Sequence, residues 1–314
     1  VGRTRSGRWW LPDLLALGGE AGVRAGEHNA ARDWKAVIAD GGLARMPVVV
    51  PTNATEDVRR CAGELAGLLS RMSGAAINVV TGDGATGVAV GTIRDYPALR
   101  FRPAFDLGDV AERQGYEIRS HRRGVCVIGA TEQAVGYAVY DFLYRLGYRR
   151  YFPSPAWEIV PARPRLEFAG HIRETPDFLT RTIWFSMGVW PEYGADLARW
   201  NTANRNGGYP LNIAHMYQGI IAENRAEFDR HPDYLGLVGG RRTSSKFCIA
   251  NPDLRRLVAA YALGQFEKFP ALECFSAEAS DGGGWCECEA CAKLGTPSTR
   301  VVTLANAVAD AVRE

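Results

Sequence analysis

One stretch limits what this chain can fold into more than any other: Glu273 to Cys291, reading ECFSAEASDGGGWCECEAC. Its first part, Cys274 to Ala279, is a short mixed apolar run that reads as a buried strand. Ser280-Asp281 then leads into three glycines, and the segment closes on Cys286, Cys288 and Cys291. A strand that ends in a carboxylate and opens into a glycine-rich loop is the way a β/α barrel presents an acid, because barrel sites lie at the C-terminal ends of the strands. Three cysteines so close together read as a clamp on that loop.

The chain before this stretch divides in two. Residues up to Met46 are rich in Gly, Ala and Arg, with short amphipathic pieces at Trp9 to Leu17 and Trp34 to Ile38, and read as a leader segment, 1–46. Val48-Val49-Val50 reads as a buried strand. Asn53-Ala54-Thr55-Glu56 has the makings of a capping box, and Val58, Cys61, Leu65, Leu68, Leu69 and Met72 then recur at helical spacing up to Gly74. Asn53-Ala54-Thr55 also matches a glycosylation sequon, but its place at a helix start favours capping. Short strands are expected at 77–80, 88–91, 116–120 and 125–128. A second helix begins near Thr131 and stops at Gly147. Strands with helices on one face make a small α+β domain, 47–170. Gly82, Gly84 and Gly87 lack the strand-loop-helix context and the lysine of a phosphate loop, and read as a turn.

From residue 171 to 314 strands and helices alternate, which argues for parallel βα units. Strands are expected at 179–186, 209–215 and 235–238, and helices at 196–200, after Asn251-Pro252, and at 299–312. The span from Phe178 to Glu314 is about half of the roughly 250 residues that a complete barrel takes. The fold class expected is therefore α/β: a small α+β N-terminal domain followed by a partial TIM-type (β/α) barrel, with later strands and any second catalytic carboxylate lying past residue 314.

Two sets of motifs resemble known families. The helix ending in Leu146-Gly147, followed by YRRYFPSPAWEIVP with Trp157 and Pro161, resembles the domain that precedes the catalytic barrel in β-hexosaminidases and α-glucuronidases. AHMY at His215, HPDYLGL at His231, FCIANP at Phe247 and SDGGGWCECEAC at Ser280 together resemble a bacterial family of glycosidase-like proteins known as a domain of unknown function, similar to α-glucuronidases in its barrel. The resemblance covers nearly all of 47–314. It implies a barrel acting on carbohydrate.

Glycoside cleavage uses two carboxyl groups across the scissile bond. Asp281 is the first candidate for the acid, chiefly on the resemblance; the alternative is that it orders the glycine loop through its own backbone bonds. Glu278 is the second candidate, although the two point to opposite faces if the strand stays extended. His215, at the end of its expected strand, is placed to bond sugar hydroxyls or a uronate, or else to tie one loop to the next. Arg181 resembles the arginine that holds sugar hydroxyls in hexosaminidases, and its fork suits a carboxylate equally. Trp184 and Trp285 offer flat faces for sugar rings, with packing as the competing role. Arg241, after Gly239-Gly240, is a further substrate-binding candidate.

Cys286, Cys288 and Cys291, with Cys248 as a fourth ligand, suit a closed structural zinc site with no open position for chemistry. Disulfides are the alternative if the protein is exported, and free thiols the third reading. Cys61 and Cys126 fall in apolar periodic segments and read as inert. No cofactor for catalysis is expected.

The function expected is that of a glycoside hydrolase, exo-acting on a terminal uronic acid or amino sugar of a polysaccharide by carboxylate acid/base catalysis. The alternative is a non-catalytic carbohydrate-binding protein with a degenerate barrel. A metal-dependent hydrolase would need an open site rich in His, and the five histidines are scattered. A net charge of +2 gives no reason to expect nucleic acid or an anionic membrane surface as the partner, and no apolar run approaches the roughly 20 residues of a membrane helix. The expected partner is an oligosaccharide or polysaccharide. An extracellular or periplasmic location is expected if a signal peptide has been removed; oligomeric state is left open.

Overall fold

The structure, a computed structural model, describes residues 2–3, 9–10, 34–97, 105–183, 185, 191–209, 214–270 and 272–313. It is a mixed α/β protein. The chain divides into two compact units, one of residues 20–209 and one of residues 210–314 with 1–19; the sequence pattern suggested a division near residue 170.

The first unit is built on a six-stranded sheet in the order 171–174, 116–121, 124–129, 87–92, 48–50, 79–81. The last four of these strands run parallel, and the first two pair antiparallel. The helices Glu56–Ser73 and Glu132–Arg145 share one core with Val48, Val50, Val88, Val90, Val125 and Val127, all nearly inaccessible. On the strands the intervening residues Ala89, Cys126 and Ile128 pack elsewhere, against Tyr96. This is the period-two alternation of a sheet covered on both faces.

Both helices start where the sequence says they should. Thr55 and Thr131 adopt extended backbone, and their hydroxyls accept from the amides of Val58 and Ala134. Gly74 closes the first helix in the left-handed conformation, φ +73°. The glycine-rich segment between the strands Val79–Thr81 and Gly87–Thr92 leads into a strand, as expected of a turn. At Gly87 the chain passes so close to its neighbour that a Cβ would sit 2.7 Å from the Pro47 carbonyl oxygen.

The leader reading needs correction where the structure describes it. Ala36–Asp40 is a strand, paired antiparallel with Arg165–Phe168 and with Leu43–Ala44 in a second, three-stranded sheet. Ala36, Ile38, Leu166 and Phe168 all enter the main core, so this early segment is part of the unit. Alternate burial, not helical periodicity, decides its form.

The YRRYFPSPAWEIVP segment proves structural. Arg149-Arg150 pairs with Glu158-Ile159, and the Arg150 side chain, 1% exposed, holds Glu158 at 3.3 Å and Asp196 at 3.0 Å. This anchors the helix Gly194–Ala203 to the rest of the unit. Of the strand expected over 179–186, the described residues are regular at Thr180–Arg181, which pairs with Gly207–Gly208, and residues 184 and 186 lie outside the described residues.

The second unit is mostly helical. Its core gathers Tyr217, Phe228, Phe247, Leu254, Val258 and Leu304, with the Tyr217 and Phe247 rings stacked at 3.9 Å. The helices Pro252–Lys268 and Pro297–Arg313 fall close to where the pattern placed them, and Asn251 caps the first by accepting from the amides of Asp253 and Leu254. The expectation of parallel βα units from residue 171 on is corrected: His171–Glu174 and Thr180–Arg181 pair antiparallel in the first unit, and a hairpin does so here. Leu235–Val238 turns back on Arg241–Phe247 as an antiparallel hairpin. The returning strand, RRTSSKF, carries no apolar alternation for a sequence reading to detect. In this unit one parallel pairing is present among the described residues, the bridge between His215 and Glu278. No described helix is long and apolar enough to cross a membrane.

Candidate active site around the Asp281 loop

The parallel bridge sets the geometry of the site. It aligns the chain at His215 with the chain at Glu278, and the Met216 amide donates to the Glu278 carbonyl at 3.1 Å. Just before it, the Ser276 hydroxyl donates to the Ala214 carbonyl at 2.8 Å. With the two backbones locked side by side, the His215 ring reaches past the end of the bridge. Its Nδ1 lies 2.9 Å from the Ala279 carbonyl oxygen and its Nε2 lies 3.2 Å from Oδ2 of Asp281.

Both ring nitrogens therefore face an oxygen acceptor. A neutral imidazole has one N–H, which satisfies one of these contacts and leaves a lone pair directed at the other. A carboxylate that is 93% exposed beside an imidazole is a pair of groups chemically able to give or take a proton.

The loop that carries Asp281 is fastened from beneath. Lys246 is 1% exposed, and its Nζ donates to the Asp281 carbonyl at 2.9 Å while lying 5.0 Å from the centre of the Trp285 ring. A buried ammonium needs such partners, because its desolvation is otherwise costly. Lys246 was not among the residues the sequence singled out. Its only signal there was a lysine next to the apolar pair Phe247-Cys248. Trp285 is half-buried with that lysine beside its ring.

The remaining candidates are dispersed. Glu278 is exposed, and it lines an apolar cavity of 270 Å³ with Phe266, Phe275, Val301 and Val308, a place that neither His215 nor Asp281 lines. Arg241 sits exposed at the turn of the hairpin, opposite Val238. Arg181 belongs to the first unit, where it donates to the carbonyls of Arg205 at 2.8 Å and Phe178 at 2.7 Å. It lines a cavity of 620 Å³ there, with Tyr137, Tyr144, Asp141 and Arg205. Trp184 lies outside the described residues.

The cysteines do converge. The sulfurs of Cys248, Cys286, Cys288 and Cys291 all lie within 4.8 Å of one another, and three of the four residues are buried. None of the seven cysteines is in a disulfide. Cys61 and Cys126, far from this group in sequence, have thiols pushed up to about 11 by burial, which suits the inert role expected of them.

Comparison with known proteins gives a family. Residues 152–314, more than half of the chain, match the family described as Domain of unknown function (DUF4838), and the chain belongs to it. No curated protein matches the chain. Among solved structures, the GH20 β-N-acetylhexosaminidase from Streptomyces coelicolor A3(2) is similar at 16% identity, with 89% of this chain and 61% of that one covered and a TM-score of 0.41. The N-acetyl-β-hexosaminidase of Streptomyces plicatus is similar at 16% identity over 89% and 61%, TM-score 0.39. An inactive mutant of the GH20 exo-β-N-acetylglucosaminidase from Vibrio harveyi follows at 10% identity over 89% and 52%, TM-score 0.35. The chain thus spans about three fifths of the length of the first two and half of the third.

Proposed function

We propose that this chain is part of a glycoside hydrolase that removes a terminal sugar, a uronic acid or an amino sugar, from a polysaccharide, with Asp281 as the proton-transferring group. The observation that carries the reading is the His215–Asp281 pair: an exposed carboxylate 3.2 Å from a ring nitrogen whose partner nitrogen is already held by a carbonyl. His215 then acts as a positioning residue that orients the Asp281 carboxylate, and Trp285 offers the face of its ring to the sugar. Glycoside cleavage also needs a second carboxylate, and Glu278, on the far side of the bridge from Asp281, is not placed to act with it. The parallel bridge between His215 and Glu278 supports the same reading of the fold, as two strands of a β/α barrel whose site lies at their C-terminal ends. The resemblance of the SDGGGWCECEAC motif to glycosidase-like proteins, with its α-glucuronidase side, points the same way.

The test is hydrolysis of a panel of aryl glycosides and oligosaccharides by the whole protein, wild type against Asp281→Asn. The substitution keeps the side chain's shape and removes its capacity to transfer a proton. We expect one sugar to be released by the wild type and the variant to lose about 10²–10⁴-fold in rate while remaining folded. If neither protein cleaves any substrate but both bind a glycan, hydrolysis is excluded and the chain is a carbohydrate-binding protein.

A further inference from the structure

We propose that Cys248, Cys286, Cys288 and Cys291 bind one zinc ion as a closed tetrathiolate site, and that this ion staples the hairpin 235–247 to the loop carrying Asp281. The inference stands on the thiol geometry and is independent of the hydrolytic reading.

The first argument is distance. The Cys248 sulfur lies 3.7 Å from that of Cys288 and 3.8 Å from that of Cys291. Four sulfurs at the corners of a tetrahedron, each about 2.3 Å from a central zinc, must be about 3.8 Å apart. A disulfide would require about 2.05 Å. The donor set is the second argument. It contains only sulfur, with no imidazole or carboxylate among the converging groups, and this selects a soft, tetrahedral metal and excludes calcium or magnesium.

The surroundings of the sulfurs supply a third, independent observation. Backbone amides point at three of them: Leu237 N at 3.3 Å from Cys286, Ala250 N at 3.5 Å from Cys291, and Cys291 N at 3.4 Å from Cys288. Neutral thiols gain little from such donors, whereas metal-bound thiolates are stabilised and oriented by them. The fourth, Cys248, has the Arg242 guanidinium beside it. Four thiolates around one Zn²⁺ leave a net charge of −2, and Arg242 offsets part of it. Arg300 adds a second guanidinium on the backbone of the site, donating to the Cys286 carbonyl at 2.7 Å.

The ligands come from two places in the chain. Cys248 follows directly on the hairpin's returning strand, two residues after Lys246, while the other three close the glycine loop. Between the two run a bond from the Glu287 amide to the Leu237 carbonyl, 2.7 Å, and one from the Gly239 amide to the Glu287 carboxylate, 2.8 Å. The metal completes this seam. It holds Lys246 under Asp281 and Trp285, and so fixes a loop of three consecutive glycines that has almost no side chains of its own to pack.

The experiment is metal analysis of the whole protein, purified without a metal-affinity step, by plasma mass spectrometry, together with a thiol count in denaturant without reductant. One zinc per chain and seven reactive thiols after unfolding in chelator are expected. Replacement by Co²⁺ should give the sulfur-to-cobalt charge-transfer and visible bands of a tetrahedral tetrathiolate. Cys248→Ser should lose or weaken those bands, and the wild-type cobalt spectrum keeps the test open should that variant fail to fold. Chelation should raise amide hydrogen exchange in 281–288 at least tenfold, with the helix Pro252–Lys268 unchanged. A metal-free protein with seven free thiols, a protein with three free thiols and two disulfides, or iron in place of zinc would each overturn the assignment. None of these readouts depends on enzymatic activity.

Discussion

The sheet of the first unit and the Asp281 loop of the second are held together in opposite ways. In the sheet, Val88, Val90, Val125 and Val127 and the two helices above them are stabilised by apolar burial, which is non-directional and shared among many residues. The loop has three glycines and an exposed aspartate, and its position depends on a few directional contacts: the His215 ring, the Lys246 ammonium and the four sulfurs. A shared apolar core tolerates loss at its edge. A loop held by single contacts does not, but it can present a carboxylate to solvent at a defined point, which a core cannot do.

The contrast can be broken most severely in the core. Phe142 is fully buried and meets Phe168 edge-on at 5.1 Å between ring centres. Phe142→Ala should cost about 4 kcal/mol in equilibrium urea unfolding of the whole protein. Because the core lies in a unit that contains none of the loop's contacts, any hydrolytic activity per folded molecule should be unchanged. Smaller in stability but sharper in position, Lys246→Met leaves the Asp281 carbonyl without its donor and should cost about 2 kcal/mol. Its readout is amide exchange in 281–285, and an unchanged exchange rate there would refute the claim that Lys246 holds the loop.

Polar contacts also operate inside the first unit, and pH separates them from the apolar ones. Burial works against ionisation of Glu158, but hydrogen bonds from Arg71 and Tyr148 and the charge of Arg150 outweigh it and hold the carboxyl below its ordinary value of 4.5. A depressed folded-state value means that the stabilisation is fully present above the unfolded value and is lost as pH falls through the folded one. Wild type should therefore lose more stability than Glu158→Gln between neutral pH and pH 3; equal losses would remove Glu158 from the account. The smallest effect is at a helix end: Thr55→Ala removes the cap on the Val58 amide and should lower stability by about 1 kcal/mol, with Thr55→Ser restoring it.

These elements differ in how far they were legible beforehand. The two capped helices, Glu56–Ser73 and Glu132–Arg145, could be read because a hydroxyl at the N-cap, an apolar stripe and a terminal glycine are local signals. The strand Ala36–Asp40 could not, since its character comes from Arg165–Phe168, far along the chain. The hairpin strand Arg241–Phe247 is polar along most of its length and shows its nature only through its partner. At the site, the cysteine spacing 286-288-291 marked a clamp and the Asp-Gly-Gly-Gly run marked a loop. Glu278 was the second carboxylate candidate after Asp281, expected on the opposite face; it lines an apolar cavity while Asp281 meets His215.

By itself, then, the sequence determined the local elements, the family to which residues 152–314 belong, and the glycine loop with its nearby cysteines. Capping, periodicity and turn chemistry act within a few residues, so they are written in order along the chain. The sequence proposed Cys248 as partner of the three later cysteines, and the tertiary structure brings their sulfurs together; only that structure decided that Lys246 lies beneath Asp281 and that both nitrogens of His215 face oxygens. Those contacts join residues 35 to 66 positions apart, such as Lys246 with Asp281 and His215 with Asp281. No local rule encodes such a pairing, because it exists only once the hairpin and the bridged strands have brought the two segments together.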